Sequence, residues 1–134
     1  MTITIAQART SLAEAVETLT GLRCHPYAIV SDPPCAFVDR REMDPRMVFS
    51  DDTGTYQLRV TVIVGEQDTI VAQKDLDELC ETTGSRSVRA AIQTSSAWTV
   101  SLDYASVTLI GAPYGREIGG VRYVAVDFDV EVVF

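Results

Sequence analysis

The last segment of the chain, GGVRYVAVDFDVEVVF from Gly119 to Phe134, alternates between apolar and polar positions. From Val124 onward every second residue is apolar, and acidic residues occupy most of the positions between them. Alternation with a period of two is typical of a β-strand that buries one face and solvates the other. The segment therefore predicts a long C-terminal strand. Its apolar residues are Val124, Val126, Phe128, Val130, Val132 and Phe134, and its acidic residues are Asp127, Asp129 and Glu131.

Other segments carry apolar residues at helical spacing. The first runs from about Thr4 to Thr20 and meets Gly21, a residue type at which helices commonly end. A second helix is predicted to begin at Asp68 as its N-cap, and a short third helix lies around Val88. Further strands are predicted at Cys35 to Val38, Tyr56 to Val64 and Val107 to Ile110.

This order of elements predicts an α+β domain, with an antiparallel sheet of about four strands and helices packed on one face. Cover on one side only explains the alternation, because a sheet buried on both faces would be apolar throughout. The turn-rich stretch GAPYGREIGG precedes the last strand and predicts a long β-hairpin at the C-terminus. We expect one domain over residues 1–134.

Composition narrows the function classes. The formal net charge is −8, and the basic residues are scattered apart from Arg40 and Arg41. Proteins that bind DNA or RNA through its phosphates need clustered Lys and Arg, so nucleic-acid binding is disfavoured for this chain. The three cysteines do not suggest a disulfide framework, and no apolar stretch approaches the length that spans a bilayer. We expect synthesis in the cytoplasm and no membrane partner.

The sequence contains few residues in arrangements typical of metal binding or catalysis. His25 is the single histidine, and the paired ligands at short spacing that mark structural zinc sites are missing. The pair Asp51 and Asp52 lacks the alternating ligands and the closing Glu of a calcium loop. The acids of the last strand have no evident partner group for acid–base catalysis. We therefore predict no catalytic residue, no metal and no cofactor, and we expect that the protein is not an enzyme.

The length of the last strand suggests self-association. Residues 121–134 would extend roughly 43–46 Å as a straight strand. A domain of this size has a diameter of about 36 Å. The strand must therefore bend, through a bulge within one subunit, or project beyond its own core. We predict that its far end projects and that Val130, Val132 and Phe134 contact a neighbouring subunit.

The order of elements over nearly the whole chain resembles the tail terminator proteins of long-tailed bacteriophages. The residues that carry the likeness are the amphipathic N-terminal helix, the strand pair flanking Arg40 to Gly54, the helix from Asp68, Trp98, and the ending GAPYGREIGGVRYVAVDFDVEVVF. The resemblance implies a homohexameric ring in the virion, at the neck of the tail. Its partners would be the major tail tube protein and the head–tail connector or stopper protein. DNA would pass through the lumen without sequence-specific binding.

Two groups of residues receive roles under this interpretation. The long polar segment would contact the tube or the connector, and the acids of the last strand would face the lumen and repel the phosphates of passing DNA. The alternatives are another neck or head-completion protein of a phage and a non-catalytic ligand-binding α+β module. The residues of the long polar segment that would contact the tube or the connector are Arg40, Arg41, Asp44, Asp51 and Asp52.

Overall fold

The computed structural model describes residues 4–27, 34–40, 55–66, 69–81, 84, 86–94, 98 and 104–133. These residues form three helices and six strands, which confirms the α+β class. In chain order the elements are α1 (Ile5–Thr20), β1 (Arg23–His25), β2 (Cys35–Arg40), β3 (Thr55–Glu66), α2 (Ile70–Cys80), α3 (Val88–Gln93), β4 (Tyr104–Ile110), β5 (Tyr114–Ile118) and β6 (Val121–Val133).

All six strands join one mixed sheet. The strand order is β1-β2-β3-β6-β4, and β5 also pairs with β6. The pair β1–β2 is parallel, whereas the other pairs are antiparallel. The prediction of about four antiparallel strands is therefore wrong. A three-residue strand such as β1 is too short to show alternation, and β5 lies inside the stretch that was predicted as a turn-rich link.

Strands β4 and β5 lie end to end along the same edge of β6. β5 pairs with its first residues, from Val121 to Ala125, and β4 pairs with its later residues, from Phe128 to Val133. The gap between β4 and β5 is bridged where the Gly111 N–H donates to the Asp127 carbonyl at 2.8 Å. Because β3 pairs with the opposite edge, β6 has strand partners on both sides.

The helices cover one face of this sheet. α1 begins with a capping box between Thr4 and Gln7, and it ends at Gly21, whose φ of 74° is left-handed. α2 is capped by Thr69, whose Oγ accepts from the Ala72 N–H at 3.2 Å. The prediction of Asp68 as the cap was one residue too early; both residue types cap well, and Asp68 lies outside the described residues. The sheet residues beneath the helices include Val38, Leu58, Val60, Val62, Val126, Phe128, Val130 and Val132.

The long last strand pairs with a neighbouring strand at every residue from Val121 to Val133, and its C-terminal half lies in the core instead of projecting. In β3 two residues, Val64 and Gly65, occupy the space opposite a single residue of β6, and β4 shifts register between Val107 and Leu109. Such bulges bend strands and increase their twist. Gly65 also lets α2 approach closely, since a Cβ at this position would lie 3.2 Å from the Cβ of Ala72.

The predicted subunit contact through the far end of β6 is wrong for the two residues that the structure describes. Val130 and Val132 are 0% and 1% exposed within the single chain, under the helices. A side chain that its own core covers completely has no surface left for a neighbour. Phe134 lies outside the described residues, and so do Arg41, Asp44, Asp51 and Asp52, whereas Arg40 ends β2.

Candidate functional site

The sheet face opposite the helices, which we call the outer face, carries cross-strand pairs of polar side chains. On β3 and β6, Arg59 lies opposite Asp129, and Thr61 lies opposite Asp127. Residues that face each other across neighbouring strands have Cβ atoms about 4.5–5.5 Å apart, which is close enough for side-chain contact. The acids that alternation placed on the solvated face are therefore positioned against partners on β3.

Asp129 is buried and forms an ion pair. The Arg59 Nε donates to Asp129 Oδ1 at 3.0 Å, and only 9% of the Asp129 side chain is exposed. This hydrogen bond raises the pKa of the Arg59 guanidinium above its usual value. The pair joins β3 to β6 and compensates the negative charge of Asp129 where water has little access.

Asp127 joins three strands. Its Oδ1 accepts the Thr61 hydroxyl of β3 at 2.8 Å and the Tyr114 hydroxyl of β5 at 3.0 Å. Burial raises the pKa of Tyr114, and the charge of Asp127 and this hydrogen bond raise it further. The phenol therefore remains a proton donor to Asp127 at neutral pH.

All three acids that were predicted to face a lumen lie on the outer face of β6, with their side chains half-buried or buried. Glu131 is half-buried and lies opposite Gln57. Asp127 and Asp129 already accept hydrogen bonds within the chain. The negative electrostatic potential of these three acids is consequently weaker than that of three fully solvated carboxylates would be. Their position in a lumen stays a prediction.

A small apolar cluster also lies on the outer face, beneath the β5–β6 hairpin. Its buried members are Cys35 and Phe37 of β2, Ile63 of β3 and Ala125 of β6. Ile118 and Tyr123 of the hairpin pack against it. Sequence reasoning missed this cluster because alternation predicted a solvated face at these positions.

The hairpin must curve over the outer face to make these contacts. The Arg116 guanidinium of β5 lies 5.2 Å from the centroid of the Phe37 ring of β2. Two strands, β3 and β6, separate β5 from β2, so three strand spacings of a flat sheet would hold them about 14 Å apart. The bulge in β3 lies where β6 enters the hairpin and provides the bend.

Apolar side chains remain exposed along the β4–β5 edge of the sheet. Leu109 of β4 is 60% exposed and Tyr114 of β5 is 39% exposed, and Val121, at the start of β6 next to the hairpin turn, is 37% exposed. No described strand lies beyond β4 or β5. The Val107 N–H of this edge donates to Gln93 Oε1 at 3.4 Å. A second exposed pair, Ile70 and Val71, lies in the first turn of α2.

Side chains of α1 bond part of the opposite edge of the sheet, where the Cys24 N–H of β1 donates to Glu17 Oε1 at 3.2 Å. The Arg9 guanidinium of α1 donates to the Pro26 carbonyl at 3.3 Å and to the Val38 carbonyl at 3.4 Å. It also lies 4.8 Å from the centroid of the Tyr27 ring. Arg9 thereby occupies the edge of β2 past the end of β1. The two edges of the sheet consequently differ in their chemistry.

The described residues contain no group of three or more His, Cys, Asp and Glu side chains that could hold a metal ion. Burial raises the pKa of Cys24 to about 12 and also raises that of Cys80. Thiols with raised pKa values are weak nucleophiles, because the thiolate is the reactive form. Within the same residues, no helix has the length and apolar character needed to cross a membrane.

A scan against protein-family models and a search of curated proteins found no match to this chain.

Proposed function

We propose that this chain is a structural subunit of a bacteriophage tail: the tail terminator, which forms a homohexameric ring at the head-proximal end of the tail tube. The proposal uses the likeness in element order and one observation about the molecular surface. That observation is the long β4–β5 edge of the sheet, on which Leu109 and Tyr114 are exposed. In this role the ring contacts the major tail tube protein on one side and the head–tail connector on the other.

The edge has the properties of a subunit contact. β4 has seven residues and β5 has five, so the edge is long for a domain of this size. A sheet edge presents backbone N–H and C=O groups, and an exposed apolar edge is a template for pairing with another chain. Assembly into a ring removes this hazard because a neighbouring subunit covers each edge.

The difference between the two sheet edges favours a ring over a two-fold dimer. Rings arise when one surface of a subunit contacts a different surface of the next subunit. On the β1–β2 edge, Arg9 donates to the Val38 carbonyl and Glu17 accepts the Cys24 N–H, so fewer backbone groups are left there for pairing with the β4–β5 edge of a neighbour. We infer that the edge contacts a different surface of the neighbouring subunit and that this contact repeats until the ring closes.

The outer face fits the lumen of such a ring. DNA moves through a tail without sequence-specific contacts, and this requires a surface that does not hold phosphates. The net charge of −8 and the acidic row on β6 meet this requirement. Arg59 is paired with Asp129, which reduces its attraction for a phosphate.

The solution mass of the purified chain tests the proposal. We expect light scattering to show a species near six times the 14.6 kDa mass of one chain, and electron microscopy to show six-fold rings. The variant Leu109→Lys places a charge at the apolar edge and is expected to abolish the rings. The matched control Val71→Lys makes the same charge change at a residue 71% exposed on α2, and it should leave the rings intact.

A chain that stays monomeric at every concentration would contradict the proposal, because a ring subunit with an exposed apolar edge must associate. Rings that survive Leu109→Lys would place the contact elsewhere on the molecule and remove the observation on which the proposal depends.

A further inference from the structure

The edge of β4 is partly covered by the short helix α3, which packs against this strand. The Val107 N–H of β4 donates to Gln93 Oε1 at 3.4 Å, so this N–H points away from β6 and towards the edge. The backbone donor that a further strand would meet at Val107 is therefore already bonded within the chain. Proteins commonly protect the edges of their sheets by covering them with a helix or a loop.

Two contacts hold the Gln93 carboxamide at this edge. Arg89, one turn earlier in α3, donates from its Nε to the same Gln93 Oε1 at 3.2 Å. The buried Trp98 indole donates from its Nε1 to the Ile92 carbonyl at 2.9 Å, which fixes the backbone next to Gln93. The side chain that covers the Val107 N–H is thus positioned both by its own helix and by Trp98.

The bulge in β4 lies at the same point of the edge. The register with β6 shifts between Val107 and Leu109, directly after the residue that Gln93 covers. A bulge also protects an edge, because it interrupts the regular spacing of the N–H and C=O groups with which a further strand would pair. Two protective features therefore lie beside Leu109, the exposed apolar side chain of β4.

The covering hydrogen bond can be replaced by a better one. Backbone N–H groups typically bond to oxygen at about 2.9–3.0 Å, and the distance from the Val107 nitrogen to Gln93 Oε1 is longer, at 3.4 Å. Gln93 is exposed, and its Oε1 is shared with Arg89. A carbonyl that approaches the edge from outside at the usual distance therefore competes well for the Val107 N–H.

We propose that Gln93 guards the β4 edge in the free chain, and that in the ring a backbone carbonyl of the next subunit replaces its oxygen as the acceptor of the Val107 N–H. This inference rests on the proposed ring, whose contact includes Leu109 on the same strand. It adds a regulatory step, because the carboxamide must leave the edge before a neighbouring subunit can pair there.

The variant Gln93→Ala tests the guard, because it removes the acceptor at an exposed residue of α3. Light scattering over a concentration series gives the concentration at which half of the chains are associated. We expect this concentration to fall by about two- to ten-fold, the range that corresponds to one hydrogen bond. The matched control Gln73→Ala makes the same change at an exposed residue of α2 and should leave the concentration unchanged.

Amide hydrogen exchange gives a second readout that does not depend on assembly. It is measured residue by residue in the Leu109→Lys chain, which is expected to remain monomeric. Addition of Gln93→Ala to that chain should make the Val107 amide exchange faster, because the amide loses its acceptor. Addition of Gln73→Ala should leave the exchange of Val107 unchanged.

Two results would overturn the guard and leave the proposed ring standing. One is a Gln93→Ala chain that forms rings at the same concentration as the wild type or at a higher one. The other is a Val107 amide whose exchange does not change when Gln93 is replaced. If the wild type and Gln93→Ala both remain monomeric at every concentration, the ring is overturned, and the guard with it.

Discussion

At the scale of single residues, the outer face is held together by pairs that join distant parts of the chain. Asp129 and Arg59 are 70 positions apart in sequence, and Asp127 and Thr61 are 66 apart. Alternation along β6 indicates the face on which each acid lies, but the partner depends on the register between β3 and β6. The acids therefore act first as structural groups within the chain.

Removal of the cation from the ion pair should destabilise the protein. The change Arg59→Met leaves Asp129 buried without its guanidinium partner, and we expect the free energy of unfolding to fall by about 1–2 kcal/mol. Urea denaturation followed by the fluorescence of Trp98, the single tryptophan and a buried one, measures the change. The control Arg122→Met, at an exposed residue of β6, should have a much smaller effect. Equal losses in both variants would mean that the pair adds no stability.

Alkaline conditions should destabilise the fold through Cys24. Burial is the main cause that raises the pKa of this thiol from 9.0 to about 12, followed by the nearby charges of Glu17 and Cys35. A pKa raised in the folded state means that the neutral thiol is favoured there. The resulting stability is complete below about pH 9 and is lost as the pH rises towards 12.

The loss approaches about 1.4 kcal/mol for each pH unit in that window. Urea denaturation at several pH values compares the wild type with Cys24→Ala, which should show a shallower slope above pH 9. The control Cys80→Ala removes a thiol that is only half-buried, and it should flatten the slope less. The same slope in wild type and Cys24→Ala would contradict the assignment.

At the scale of elements, the 13 residues of β6 are accommodated by pairing with three strands, β3, β4 and β5. The bulges in β3 and β4 lie on either side of it, and the strand keeps partners on both edges. Its later half lies in the core, whereas Val121 and Arg122 in its first half are exposed. The part of β6 that extends beyond the main core is thus the hairpin end and not the C-terminal end.

This placement changes the expected effect of mutations in β6. Val132→Ala should lower the free energy of unfolding by about 1.5–3 kcal/mol, because it removes buried methyl groups from the core. Val121→Ala makes the same chemical change in the same strand at a residue that is 37% exposed, and its effect should stay within about 0.5 kcal/mol. Similar effects in the two variants, measured by urea denaturation, would show that the end of β6 is not part of the core.

At the scale of the whole molecule, association must overcome like charge. Each chain carries a formal net charge of −8, so neighbouring copies in the proposed ring would repel one another. The surface that offers an apolar contact for association is the edge beside Leu109. Contacts of this type are not weakened by screening, whereas the repulsion is.

We therefore expect the fraction of chains in rings to increase with salt. The Debye length falls from about 10 Å at 0.1 M to about 3 Å at 1 M ionic strength, which screens the repulsion between subunits. Light scattering at a fixed protein concentration over this range measures the change. A ring that dissociates as salt rises would instead indicate a contact made by ion pairs between subunits.

The sequence by itself determined the elements whose pattern is local. Helices α1 and α3 and strands β3 and β6 follow from the spacing of apolar residues over ten or so positions, and this spacing is a property of the segment alone. The end of α1 at Gly21 also follows from local chemistry. The same patterns indicated the α+β class, with the helices on one face of the sheet.

Only the tertiary structure decided which strands pair and where the sheet bends. The parallel β1, the short β5, the bulge at Val64 and Gly65 and the contact of Arg116 with Phe37 each depend on residues far apart in sequence. For the same reason the periodicity of β6 distinguished its two faces but not what covers them. Val130 and Val132 lie beneath the chain's own helices because their register with β3 and β4 places them there, and no pattern within the strand records that register.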